Sequence, residues 1–180
     1  MKKRKLILIV CSMCLCFFFG ATAIAGDAGL AEEMTGKSVK EMTEEEIVEY
    51  VIELFMGFTG DEHTPLDKFA EDGKFMDVTR PVQKVFKGKK ELAEFLAAYS
   101  GMSQWDLEIL NAAYAGDYRV GIEWIWTSVH DLGPYDGIPP RGIETKIYGS
   151  SWITINEEGY ITYQKDIWNK DHLVHQLCAE

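Results

Sequence analysis

YRVGIEWIWTSVH, residues 118–130, reads as one long β-strand, and its reading decides the fold. A strand turns alternate side chains to opposite faces. Tyr118, Val120, Ile122, Trp124, Trp126, Ser128 and His130 therefore share one face, and Arg119, Gly121, Glu123, Ile125, Thr127 and Val129 share the other. Two tryptophans in register with a hydroxyl and an imidazole make an apolar wall with a polar end, the make-up of a small-molecule pocket. The same tryptophans serve equally well as core filling, the commonest fate of buried aromatic residues.

Around this stretch the texture is that of a sheet. Trp105 to Ala115, Ile143 to Ile155 and Tyr160 to Trp168 are aromatic or β-branched, with turn signals at Gly116-Asp117 and Glu157-Glu158-Gly159. Upstream the period changes. Thr43 and Glu46 form a capping box ahead of Ile47, Val48, Val51, Ile52, Phe55 and Phe58, which recur at helical spacing until Gly57 and Gly60. Thr64-Pro65 with Asp67 predicts a second, short helix ending near Gly73. Short strands are expected over Lys74 to Val78 and Val82 to Phe86, a third helix over Lys89 to Tyr99, and a terminal helix over Lys170 to Leu177. Helices followed by an antiparallel sheet define an α+β domain.

Lys2, Lys3, Arg4 and Lys5, the apolar run Leu6 to Phe19 and the triplet Ala23-Ile24-Ala25 have the form of a secretory signal peptide cleaved after Ala25. An uncleaved anchor is the alternative, since about 20 apolar residues span a bilayer. The expected organisation is a signal over 1–25, a flexible tether over 26–42 and one domain over 43–180. An exported protein of this kind has no membrane contact after cleavage. The whole chain carries −11, and the leader holds four of the basic residues and none of the acidic ones, so the mature charge is −15. Nucleic acid is excluded as a partner on that balance. Only Cys178 survives cleavage, which rules out an intrachain disulfide and leaves stability to packing and dimerisation.

The second half resembles the SnoaL-like polyketide cyclase and ester cyclase family of the nuclear-transport-factor-2-like superfamily. The runs that carry the resemblance are Trp124-Ile125-Trp126-Thr127 with His130, the loop Gly137-Ile138-Pro139-Pro140-Arg141-Gly142, Gly149, Gly159 with Ile161, Lys165-Asp166-Ile167-Trp168, and Gln176-Leu177. Upstream the match rests on the first helix, Phe75, Asp77, Gly88 and Phe95, so that it covers roughly residues 45 to 177. What this resemblance implies is a cystatin-like cone in which a strongly curved antiparallel sheet wraps three N-terminal helices around a deep apolar cavity. It also implies a homodimer. In the family's cyclases and epoxide hydrolases an aspartate of the last strand acts as acid or base, and Asp166 stands in that position. Many relatives have a further aspartate where this chain has Asn169.

Period-2 counting along the last strand puts Trp168, Asp166, Gln164 and Thr162 on one face, and Ile167, Lys165, Tyr163 and Ile161 on the other, unless a bulge intervenes. Enclosure of Asp166 by Trp168 and Trp124 would raise its pKa toward neutrality, as a general acid or base requires. His130 is the second catalytic candidate: it could position a carbonyl, share a proton with Asp166, or tie down its own loop. Trp124, Trp126, Trp168 and Gln164 are expected to bind substrate, with Asp77, Tyr148 and Trp152 as further lining. Tyr148 and Trp152 fit a dimer interface equally well. His172, His175 and Asp171 lie close together without a further ligand cluster, so no metal is expected. There is no serine elbow, zinc-binding helix or dinucleotide fingerprint, and no cofactor is expected. The expected ligand is a hydrophobic, oxygenated small molecule undergoing acid–base chemistry. A non-catalytic binding or dimerisation module is the alternative.

Overall fold

The computed structural model describes residues 29–57, 66–79, 84–97 and 101–179. The predicted signal, the Thr64-Pro65 cap, the stripe residue Phe58, the end signal Gly60, and the expected ends at Val82 and Tyr99 lie outside them. Four α-helices, α1 (Leu30–Thr35), α2 (Glu44–Met56), α3 (Gly88–Leu96) and α4 (Lys170–Cys178), accompany six strands. The strands are β1 (Phe69–Asp77), β2 (Lys84–Lys87), β3 (Met102–Tyr114), β4 (Arg119–His130), β5 (Ile143–Ile155) and β6 (Ile161–Trp168). They form one sheet in the order β2-β1-β6-β5-β4-β3. β1 runs parallel to β6 while every other pair is antiparallel, so the sheet is mixed rather than purely antiparallel.

β4 pairs along its whole length with β5, Arg119 opposite Thr154 through to His130 opposite Ile143. Its period-2 face is buried: Val120, Ile122, Trp124, Trp126, Ser128 and His130 all lie inside. α2 starts at Thr43, whose hydroxyl accepts from the Glu46 amide while the Glu46 carboxylate accepts from the Thr43 amide. Its buried stripe is Ile47, Tyr50, Val51, Leu54 and Phe55, laid against β3 and β4. The core is continuous from this stripe across the concave face of the sheet.

Three expectations change. Residues 30–41 are folded rather than a tether: α1 and a short 3-10 turn (Val39–Glu41) bury Leu30, Ala31 and Val39, and the Ala31 amide donates to the Glu158 carbonyl at 3.0 Å. The apolar pattern there is too short to signal a helix, and its stability comes from tertiary packing. The helix expected to reach Gly73 is a single 3-10 turn (Leu66–Lys68) before β1 begins at Phe69. A bulge at the start of β6, where Ile155 pairs with Ile161 but Thr154 pairs with Tyr163, resets the alternation. Ile161, expected to face away with Tyr163, is instead fully buried.

α2 is tied to the narrow end of the sheet by one buried hydrogen bond, from the Tyr50 hydroxyl to the Gly159 carbonyl at 2.9 Å. Gly159 sits at φ +92 in the β5–β6 turn, and a Cβ there would stand 2.5 Å from the Tyr50 oxygen. Only glycine tolerates both demands. Tyr50→Phe leaves that carbonyl buried without its donor and is expected to cost about 1–2 kcal/mol in urea unfolding, with the secondary structure unchanged.

Candidate functional site

The wide end of the sheet holds a cavity of about 90 Å³, the space of several waters. Trp124 and Trp126 of β4, Trp105 and Leu107 of β3, and Phe75 of β1 form its walls. Phe55 of α2 and Phe95 with Leu96 of α3 cover it, and Gln164, Asp166 and Trp168 of β6 supply the remaining side. The rings pack on one another: Trp105 and Trp126 lie 5.0 Å apart at 59°, Phe75 and Phe95 4.8 Å apart, and Phe55 and Trp124 6.2 Å apart. Tilted contacts of this kind suit aromatic quadrupoles and hold the walls rigid.

Local sequence features aim these rings. Gln104 takes φ +51 at a bulge in β3, where three steps on that strand match two on β4. The bulge turns Trp105 inward against Trp126, and its indole N–H donates to the Met102 carbonyl at 3.0 Å. Trp124 lies across Gly149 of β5. A Cβ on Gly149 would stand 2.3 Å from the indole, so only a glycine fits beneath it.

Among the described residues, Asp166 is the one ionisable side chain lining the cavity. Ser151 stands directly opposite it in the β5–β6 ladder, and its hydroxyl donates to Asp166 Oδ1 at 2.7 Å. The Trp124 indole N–H donates to the same Ser151 oxygen at 2.9 Å, which orients the hydroxyl proton toward the carboxylate. Gln164 Nε2 donates to Oδ1 at 3.0 Å and to Oδ2 at 3.3 Å. These hydrogen bonds favour the charged form, yet burial outweighs them. Desolvation, opposed by Ser151 and Gln164 and assisted by the charge of Asp77, pushes the carboxyl from its ordinary 3.8 up to about 7.

The candidates therefore divide into two groups. Asp166, Gln164, Trp124, Trp126 and Trp168 come together around the cavity. Asp77 is buried beside Asp166 in the parallel β1–β6 register, but it does not line the space, and its Oδ1 accepts from the Thr79 amide at 3.0 Å and the Thr79 hydroxyl at 2.6 Å. His130 is fully buried at the end of β4 away from the cavity. Its Nε2 is 2.8 Å from the Gly133 carbonyl, and its own carbonyl accepts from the Arg141 and Gly142 amides at 3.0 and 2.7 Å, so it ties down the 131–142 loop. That loop contributes no cavity wall. Tyr148 and Trp152 stand on the outer face of β5, 57% and 41% exposed. Ser151, Phe55, Phe95 and Trp105 were not among the candidates. Inward alternation of Ile147, Gly149, Ser151 and Ile153 is the signal that points to Ser151. A wider groove of about 230 Å³ beside α2, lined by Met42, Glu46, Glu49 and Glu53, contains none of the candidates.

Solved structures described as SnoaL-like or ketosteroid isomerase-like share this α+β fold. A proposed SnoaL-like polyketide cyclase from Jannaschia sp. CCS1 superposes with a TM-score of 0.62 at 15% identity, over 74% of this chain and 95% of that one. AclR, a proposed hydroxylase from Streptomyces galilaeus, gives 0.63 at 14% identity over 75% and 97%. A hypothetical protein with a ketosteroid isomerase-like fold from Catenulispora acidiphila DSM 44928, solved with trimethylamine, gives 0.58 at 18% over 73% and 94%. At these identities the likeness is one of fold. No family model matches the chain, and no curated protein matches it.

The raised pKa has a thermodynamic signature. Between pH 3.8 and about 7 the folded protein keeps a proton on Asp166 that the unfolded chain has released, so this residue lowers stability as pH rises through that window. Asp166→Asn removes the effect. Relative to the parent, the variant is expected to gain up to about 4 kcal/mol on going from about pH 4 to about pH 8, measured by urea unfolding. A stability difference that stays constant over that range would show that Asp166 ionises normally.

Proposed function

We propose that the protein binds a small, largely apolar, oxygenated molecule in this cavity and carries out cofactor-independent acid–base chemistry of the cyclase, isomerase or hydrolase type. The observation that carries this reading is the single cavity carboxyl, fixed by Ser151 and Gln164 and titrating near neutrality. Near pH 7 such a group is populated in both forms, so it can take a proton from a carbon or a water and return it within one turnover. The aromatic walls exclude water and strengthen its field on a bound substrate. The shared fold with cyclase-like and hydroxylase-like proteins supports the reading by analogy. Asp166→Asn is expected to lower turnover of a reactive ketone, ester or epoxide by about 10²–10⁴-fold, while an apolar dye still binds. Undiminished turnover would remove Asp166 from the chemistry.

A carrier without catalysis is the second reading. It is favoured by the remoteness of His130 and the engagement of Asp77 with Thr79, which leave Asp166 without a proton-transfer partner on the cavity wall. It differs in expecting Asp166→Asn to change affinity and nothing else.

The leader pattern supports export, with the working protein beginning at Gly26. The outer face of the sheet supports a homodimer: Tyr148 and Trp152 of β5, with Ile167 of β6, expose apolar surface beside Gly121, over which the Trp152 ring lies. On a sizing column the protein from Gly26 onward is expected to elute as a dimer that Trp152→Arg splits into monomers. Elution of the parent as a monomer would leave that face to another role.

A further inference from the structure

The cavity's acceptors are the Asp166 carboxylate and the Gln164 carbonyl, and its donors are indole and amide N–H groups. Among the described residues that line it there is no lysine, arginine or histidine. The indole N–H groups of Trp105 and Trp124 are already committed, to the Met102 carbonyl and to Ser151. Asp166 offers carboxylate oxygens, of which Oδ2 receives only the longer, 3.3 Å contact from Gln164. Gln164 is fully buried and spends its amide N–H on Asp166, which leaves its carbonyl oxygen with no hydrogen-bond partner. Four of the chain's five tryptophans line this one space, so large π-systems surround the same acceptors.

A cation finds everything it needs. Aromatic faces attract an organic ammonium electrostatically, and the attraction grows when water is excluded. A carboxylate at the edge of the aromatic box supplies the counter-charge. The volume of about 90 Å³ suits a compact head group, and the chain's charge of −11 raises the local concentration of cations.

We propose that the ligand of this cavity carries a compact, positively charged nitrogen, an alkylated ammonium group, held in the box of Trp105, Trp124, Trp126 and Trp168 against the Asp166 carboxylate. The proposal rests on the reading of the cavity as a small-molecule site and names the class of molecule that enters it.

The test uses three probes titrated into the protein at about pH 8, followed by calorimetry and tryptophan fluorescence. They are choline, its neutral isostere in which a tert-butyl group replaces trimethylammonium, and acetate as the anion. Choline is expected to bind at least about tenfold more tightly than the isostere, with acetate weakest. In Asp166→Asn and in Trp168→Leu the ratio of choline to isostere affinity should fall toward one, and a ratio that keeps its parent value in both variants would overturn the cationic ligand. Equal binding of choline and its isostere would overturn the cationic ligand while leaving a neutral small-molecule site standing. Tightest binding by acetate, or no saturable binding by choline, would overturn it as well, and turnover by the parent against Asp166→Asn then decides the acid–base reading independently.

Discussion

The contact on which the rest of this structure depends is the Trp124 indole lying flat across Gly149. It brings two neighbouring strands into a register that no other residue at 149 would permit, because any Cβ would enter the ring. From that register the Trp124 N–H reaches Ser151, and Ser151 reaches Asp166 on the next strand. Three strands are thus stitched by one line of side chains. A slip of one residue would turn Ser151 outward and carry exposed Trp152 into the core, so the contact specifies the pairing as well as the site.

Holding a carboxyl in an aromatic cavity works against folding, and the architecture offsets the cost elsewhere. The buried stripe of α2, the inward residues of β4 and β5, and the packed ends of α1 and α4 form a single apolar core that reaches the cavity through Phe55, Trp124 and Trp126. Gln176 of α4 also closes an opening in the sheet. Beyond Trp168, the last residue of β6, the edge of β5 has no strand beside it, and the Gln176 carboxamide both accepts from the Lys146 amide at 2.8 Å and donates to its carbonyl at 2.9 Å. A side chain there does the work of a strand and blunts an edge that could pair with another molecule.

Much of this was legible in the sequence because the period-2 signal of β4 is strong and uninterrupted. The faces of β4, the full extent of β5, the cap at Thr43 and the shared face of Gln164, Asp166 and Trp168 follow from alternation and spacing, while the inward assignment of Asp166 came from the family resemblance. What escaped did so for definable reasons. The bulges at Gln104 and Thr162 shift the alternation by one residue, and nothing local marks them, since neither position is a glycine. The role of Ser151 is a cross-strand fact that needs the β5–β6 register. His130 shared a face with the tryptophans, yet the strand is long enough that its far end leaves the cavity for the loop. A short helix such as α1 has too few turns to show a period, so its packing cannot be read before the turn at Gly159 that it covers is in place.

The geometry also ties occupancy to protonation. Because desolvation dominates the acidity of Asp166, whatever enters the cavity must alter it. A neutral ligand that displaces water raises the pKa further and drives the group toward its acid form, with Ser151 and Gln164 left donating to a carboxyl that no longer needs both. A cation does the opposite: it restores the charged form, returns those two hydrogen bonds to full strength and draws the pKa down. The same three residues therefore support proton donation with one class of occupant and charge recognition with the other. What distinguishes the two states is a single proton, and its release or uptake on binding follows directly from where Asp166 sits among the rings.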